Sequence, residues 1–161
     1  MGEKIIVVVD TREQESYSFP TEHFLTQRHA LSAGDYSLAG YEHEIAVERK
    51  SLDDFVHTII RERERFRKEL EKLALYRHAC VVVEASLSEL FAHAYSSGAH
   101  PNSVFGAALS IIIDHGIPVY FCSNRQIACR FVQEYLLRCF RKESINESDC
   151  TGRDNSDTGN S

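Results

Sequence analysis

Residues 34–54 read GDYSLAGYEHEIAVERKSLDD, and the way this stretch folds decides the rest of the chain. Asp35 follows Gly34, a residue free to take a positive φ and turn the backbone. Glu44 to Lys50, EIAVERK, reads as a strand, on which side chains alternate between faces. Glu48 and Lys50 then share one face, and Arg49 points to the other. Leu31 to Leu38 reads as a second strand, joined to Tyr41–Lys50 around Gly40, so a hairpin brings the Asp35 and Glu48 carboxylates together. Two carboxylates can hold a hard cation such as Mg2+ through oxygen ligands. An ammonium beside them can orient or help deprotonate a water and offset charge on a phosphorane-like transition state. Asp35, Glu48 and Lys50 thus form a kit for phosphodiester hydrolysis, although so loose a spacing also arises by chance.

Upstream, Lys4 to Asp10, KIIVVVD, is a short β-branched run that reads as a buried strand. Asp10 is either a turn or cap residue or a further acidic group at the mouth of the site. Residues 19–30 hold Pro20, Phe24 and Leu25 and read as a loop with a short helix. Downstream, Ser51 to Ile60 is predicted to be a helix. Ser51 and Asp54 resemble a capping box at its start, which would also place Asp54 within a turn of Lys50.

Arg61 to Arg77 is predicted to be a second helix, with Phe66, Leu70 and Leu73 forming its apolar stripe. Its seven basic and four acidic residues make it locally +3. Arg61, Arg65, Lys68 and Lys72 fall on a neighbouring stripe, either a solvated face laced with ion pairs or a surface that contacts phosphates. Ala79–Ala85 and Ile117–Cys122 read as strands; Ser86–Tyr95, Pro101–His115 and Asn124–Arg141 read as helices, with Gly116 as a stop. Residues 142–161 carry two basic and five acidic residues and little hydrophobicity, which predicts a disordered acidic tail after a domain spanning 1–141.

A chain of 161 residues has room for one domain with a full core. No apolar run approaches a membrane span, and no signal peptide opens the sequence. The five cysteines form no Cys-x-x-Cys pair and read as free thiols of a reducing compartment, the cytoplasm or the nucleus of a eukaryote. The eight histidines lack zinc-ligand spacing. A net charge of −6 argues against a surface that coats nucleic acid, but leaves room for a local basic groove. No glycine-rich phosphate loop is present, which weighs against a small α/β signalling or phosphate-handling domain.

VVVDTRE at 7–13, GDY at 34–36 and ERKSLDD at 48–54, followed in order by ACVVVEA and GIPVYFCSN, resemble the XPF/Hef-type nuclease domain in stand-alone form. The resemblance runs from Lys4 to Arg141. It implies an α/β, restriction-endonuclease-like fold: a central mixed sheet flanked by helices. It implies an endonuclease dependent on Mg2+ or Mn2+ that cuts branched or flap DNA near single-strand to double-strand junctions. It makes Asp35 and Glu48 metal ligands and Lys50 the residue that activates or positions water. Arg49 becomes the motif arginine, structural or DNA-contacting, and Asp10, Arg12 and Asp54 become supporting polar groups around metal and phosphate. Nothing corresponds to the helicase region or tandem helix-hairpin-helix modules that members often carry. The main alternative is a non-catalytic DNA-binding or dimerisation module, against which the complete Asp35, Glu48, Lys50 set argues.

Val104 to Ile113 is apolar most of the way round a helix, so one side packs on the sheet and another must be covered. A homodimer through the helices after Pro101 would cover it, as the resemblance also implies; a loop or the Ser86–Tyr95 helix is the other candidate cover.

Overall fold

The computed structural model describes residues 2–152. Strands β1 (Ile5–Asp10), β2 (Phe24–His29), β3 (Tyr36–Leu38), β4 (Ile45–Lys50), β5 (His78–Val83) and β6 (Val119–Phe121) form one sheet in the order β2-β1-β3-β4-β5-β6. β1 pairs parallel with β2 and antiparallel with β3, β3 pairs antiparallel with β4, and β4, β5 and β6 run parallel. This is the α/β mixed sheet flanked by helices that the sequence predicts. The apolar runs of β1 and β5 occupy interior positions of the sheet, where full burial of each valine contributes about 1.5–3 kcal/mol.

Alternation along the strands divides the core. Ala46, Val81 and Val83 face helices α1 (Leu52–Arg61), α2 (Arg63–Leu73), α3 (Leu87–Phe91) and α4 (Pro101–His115). Ile45, Val47, Cys80 and Val82 face helix α5 (Arg125–Thr151) through Ala128, Val132, Leu136 and Cys139. Glu48 and Lys50 therefore leave β4 on the α1–α2 side, and Arg49 leaves on the α5 side.

Local signals stop and start the helices. The Ser51 hydroxyl accepts from the Asp54 amide, Ser86 and Glu89 form a reciprocal capping box, and Asn124 accepts from Ile127. Gly116 ends α4 in the left-handed region at φ 68°.

Four expectations are corrected. Residues 24–29 form an edge strand, not a loop with a short helix; only Phe24 of that strand is buried, so it shows no apolar alternation to read. The strand expected from Leu31 begins at Tyr36, because the Asp10 carboxylate draws the Leu31 amide to itself at 2.8 Å. The helix expected over 61–77 is broken at Glu62 (φ −118°, ψ 34°), which leaves Arg61 as the last residue of α1, and it ends at Leu73. Helix α5 continues past Arg141 to Thr151, where a disordered tail is predicted. There Glu143, 3% exposed, accepts from Arg77 at 2.7 Å and lies 2.9 Å from His78 Nε2, and these contacts outweigh poor local propensity. The rest of that tail lies outside the described residues. Among the described residues, no helix is long and apolar enough to cross a membrane.

Candidate active site

Gly34 has φ 78°, and a Cβ there would come within 3.1 Å of the Ala46 Cβ and 3.2 Å of the Val47 carbonyl oxygen. Glycine is required both for the turn and for the close approach of two strands. The turn delivers Asp35 to a position pinned from both sides. Its amide donates to the Val47 carbonyl at 2.8 Å, and its carbonyl accepts from the Asp10 amide at 2.8 Å. The Asp35 carboxylate accepts from the Arg49 main-chain amide at 2.7 Å.

The two carboxylates meet as the hairpin requires. Burial first, then repulsion from Glu48, pushes the Asp35 carboxyl up to about 8, against the Arg49 hydrogen bond. Burial also raises Glu48, against the attraction of Lys50. The Lys50 ammonium lies 3.4 Å from Glu48 Oε1 and 5.5 Å from the centre of the Phe66 ring.

These groups line a cleft of about 180 Å³ whose far wall belongs to α1 and α2, through Thr58, Glu62, Arg65, Phe66 and Glu69. Asp10 and Arg12 line the near wall. Asp10 is 1% exposed. Burial pushes its carboxyl up, but the Arg12 side chain and the Leu31 and Arg12 amides outweigh burial and hold it below the usual range. Asp10 thus fills both roles left open by the sequence: it fastens the turn after β1 and it borders the site. Arg12 donates to Asp10 at 2.8 Å and to the Leu31 carbonyl at 3.1 Å, with most of its side chain exposed.

Arg49 is elsewhere. Its guanidinium is 9% exposed on the opposite face of the sheet, bonded to Glu13 at 3.0 and 3.1 Å and to Glu84 at 2.8 Å. It reaches the site only through its main-chain amide. Asp54 is exposed in the first turn of α1, outside the cleft lining. Of the basic stripe, Arg65 borders the cleft and lies 3.6 Å from Glu62, and Lys72 lies 3.5 Å from Glu69. Arg61 and Lys68 are exposed outside the cleft lining.

Sequence reasoning missed Glu62 and Glu69 on the far wall, because surface carboxylates of a charged helix carry no signal that they face a cleft. It also missed Glu13 and Glu84 as partners of Arg49. The signal for Glu13 lay in VVVDTRE, and for Glu84 in a carboxylate closing a buried apolar strand. Among the described residues, no three His, Cys, Asp or Glu side chains assemble into a metal cage. A cation at Asp35 and Glu48 would complete its shell with water and phosphate oxygens, the habit of Mg2+ in phosphate-handling sites. Repulsion from Glu48, which after burial raises the Asp35 carboxyl, is what such a cation would relieve, so the donor set fits.

A family model described as the ERCC4 domain matches residues 9–135. A Methanocaldococcus jannaschii protein provisionally named an ATP-dependent RNA helicase is 32% identical over 143 residues, covering 89% of this chain and 16% of that protein. The chain therefore spans about a sixth of that relative's length. XPF from Aeropyrum pernix superposes with a TM-score of 0.64 at 21% identity, covering 88% of this chain and 69% of that one. The same archaeal XPF in complex with DNA gives a TM-score of 0.62 at 23% identity, over 87% and 66% of the respective chains.

Proposed function

The chain belongs to the ERCC4 domain family, a nuclease family, and from that premise we propose that it is an endonuclease hydrolysing DNA phosphodiesters with Mg2+ or Mn2+. One observation carries the reading: Asp35, Glu48 and Lys50 meet in one cleft, two carboxylates raised by burial beside an ammonium. A catalytically silent module of the same fold has no use for that arrangement, which costs stability.

Asp35 and Glu48 would hold the cation, which would supply polarisation of the scissile phosphate and a lowered pKa for a water. The chain's own residues do the rest. Lys50, kept forward by Glu48 and the Phe66 ring, orients the attacking water and offsets charge gathering on the phosphate. Arg12 is tethered to Asp10 and reaches out from the near wall to a neighbouring phosphate. Arg65, with Arg61, Lys68 and Lys72 farther along α1 and α2, steers the backbone of the DNA.

The substrate is branched or flap DNA, a reading that rests on the family resemblance. A homodimer covers the apolar face of α4, β6 and α5, where Ile112, Ile113, Tyr120 and Ile127 remain exposed. The five free cysteines favour the cytoplasm, or the nucleus of a eukaryote. The test is to incubate the protein with labelled flap, fork, single-strand and duplex DNA, with and without Mg2+ or Mn2+. Cation-dependent cutting of the branched forms is expected; binding without cutting under every condition would establish the silent module instead.

A further inference from the structure

Behind the site, on the α5 side of the sheet, lies a closed circuit of buried polar contacts. Glu84 follows β5 and stands beside the end of β4. Its main-chain amide donates to the Lys50 carbonyl at 2.9 Å. Its Oε1 accepts from Arg49 Nη1 at 2.8 Å. Its Oε2 accepts from the Tyr17 hydroxyl at 2.6 Å and from Arg125 Nη1 at 3.3 Å. One residue therefore grips the last two residues of the site strand, one by main chain and one by side chain. Arg49, held also by Glu13, extends its own amide to the Asp35 carboxylate at 2.7 Å. Tyr17 closes the circuit, because its amide donates at 2.9 Å to the hydroxyl of Tyr36, the neighbour of Asp35, and the two rings stack at 5.4 Å. The Glu84 and Glu13 side chains are 7% and 5% exposed.

We infer that Glu84 is a positioning residue: acting through Arg49, it fixes the direction of the Asp35 carboxylate and so tunes the cation affinity and turnover of the site. The inference rests on the proposed cation-dependent nuclease. The reason is geometric. A carboxylate ligand works only if its oxygens point where the cation and phosphate meet, and among the described residues the Asp35 carboxylate accepts from one donor, the Arg49 amide. The sheet holds the main chain of Arg49 through its pairing with β5, and the Arg49 side chain, whose charge is matched by Glu13 and Glu84 on the other face, adds a second anchor to the same residue. Each Glu84 oxygen faces an arginine, Arg49 on one side and Arg125 beside Tyr17 on the other, so a glutamine must turn its NH2 toward one of these donor-only groups and lose that bond, together with the charge that balances Arg49.

The test compares the unaltered chain with Glu84→Gln and with the gentler Tyr17→Phe, which removes one hydrogen bond and keeps the ring stack. Three readouts are taken below the melting transition: Mn2+ affinity by calorimetry, exchange of the Arg49 amide by NMR, and cutting of flap DNA with kcat and KM separated. Glu84→Gln is expected to weaken Mn2+ binding and lower kcat by about ten-fold each and to speed Arg49 amide exchange, while KM for DNA stays unchanged. Tyr17→Phe is expected to move the same readouts in the same direction by less. Mn2+ affinity and Arg49 exchange within two-fold of the unaltered chain in both variants would overturn the role. If Glu84→Gln does not fold, Tyr17→Phe decides by the same criteria. If the unaltered chain cuts no DNA but Mn2+ affinity and amide exchange still shift, the nuclease reading fails and the positioning role stands.

Discussion

Lys50 holds its ammonium 5.5 Å from the centre of the Phe66 ring, so a residue buried in α2 forms one wall of the cage around the end of β4. The other wall is Glu48, 3.4 Å away. The docking of α2 and the placement of the site lysine are thus one event. A cation–π contact of this kind is worth about 1 kcal/mol. Phe66→Leu keeps an apolar residue in the core and removes the ring face. It is expected to lower the single-turnover cleavage rate about five-fold at unchanged DNA affinity, a ratio read directly by rapid quench beside a binding titration.

Asp35→Asn is expected to abolish cutting, since it removes the charge on which cation binding depends, while leaving the fold intact. Undiminished cutting would remove Asp35 from the mechanism.

The same variant makes a pH prediction for the metal-free protein. The Asp35 carboxyl is raised by burial, then by Glu48, from 3.8 to about 8. A group raised in the folded state adds stability that is complete below its unfolded value and is lost as pH rises through its folded one. Metal-free protein is therefore expected to lose stability between about pH 4 and pH 8, and Asp35→Asn to lose less. Melting temperatures across that range, with chelator present, decide it; parallel curves for the two proteins would count against the buried pair.

Arg61→Ala with Arg65→Ala is expected to weaken DNA binding and to reduce the slope of log affinity against log salt by about one to two. The two residues lie on either side of the break at Glu62, and only Arg65 borders the cleft. An unchanged slope would return both to an ordinary solvated face.

Ile113 is 74% exposed at the end of α4, whereas α3 covers another part of that helix through Phe91, whose ring lies 5.0 Å from that of Phe105. Ile113→Glu is expected to convert a dimer to a monomer, read by light scattering at several concentrations. A monomeric mass for the unaltered chain at high micromolar protein would sink the dimer.

Glu143 offers a prediction independent of function. Burial raises its carboxyl, but His78 and Arg77 outweigh burial and hold it below its ordinary 4.5. Its contribution is present above pH 4.5 and lost as pH falls through the folded value. Glu143→Gln is expected to destabilise the protein by about 2 kcal/mol at neutral pH, with the difference closing in acid, as measured by urea unfolding at both pH values.

The sequence by itself determined on which face of β4 each motif residue lies. The alternation of EIAVERK puts Glu48 and Lys50 on one face and Arg49 on the other, because strand geometry is local. Gly34 announced the turn that presents Asp35, and the ordered motifs identified the mixed sheet. Only the tertiary structure decided what surrounds these groups. Edge strand β2 exists because β1 offers it a ladder, not because its own residues alternate. The Arg49 side chain lies outside the cleft because Glu13 and Glu84 reach it from 36 and 35 residues away. Helix α5 runs on to Thr151, with Glu143 meeting His78 across 65 residues. Each of these depends on charges and hydrogen bonds between distant segments, and such pairings leave no periodic trace along the chain.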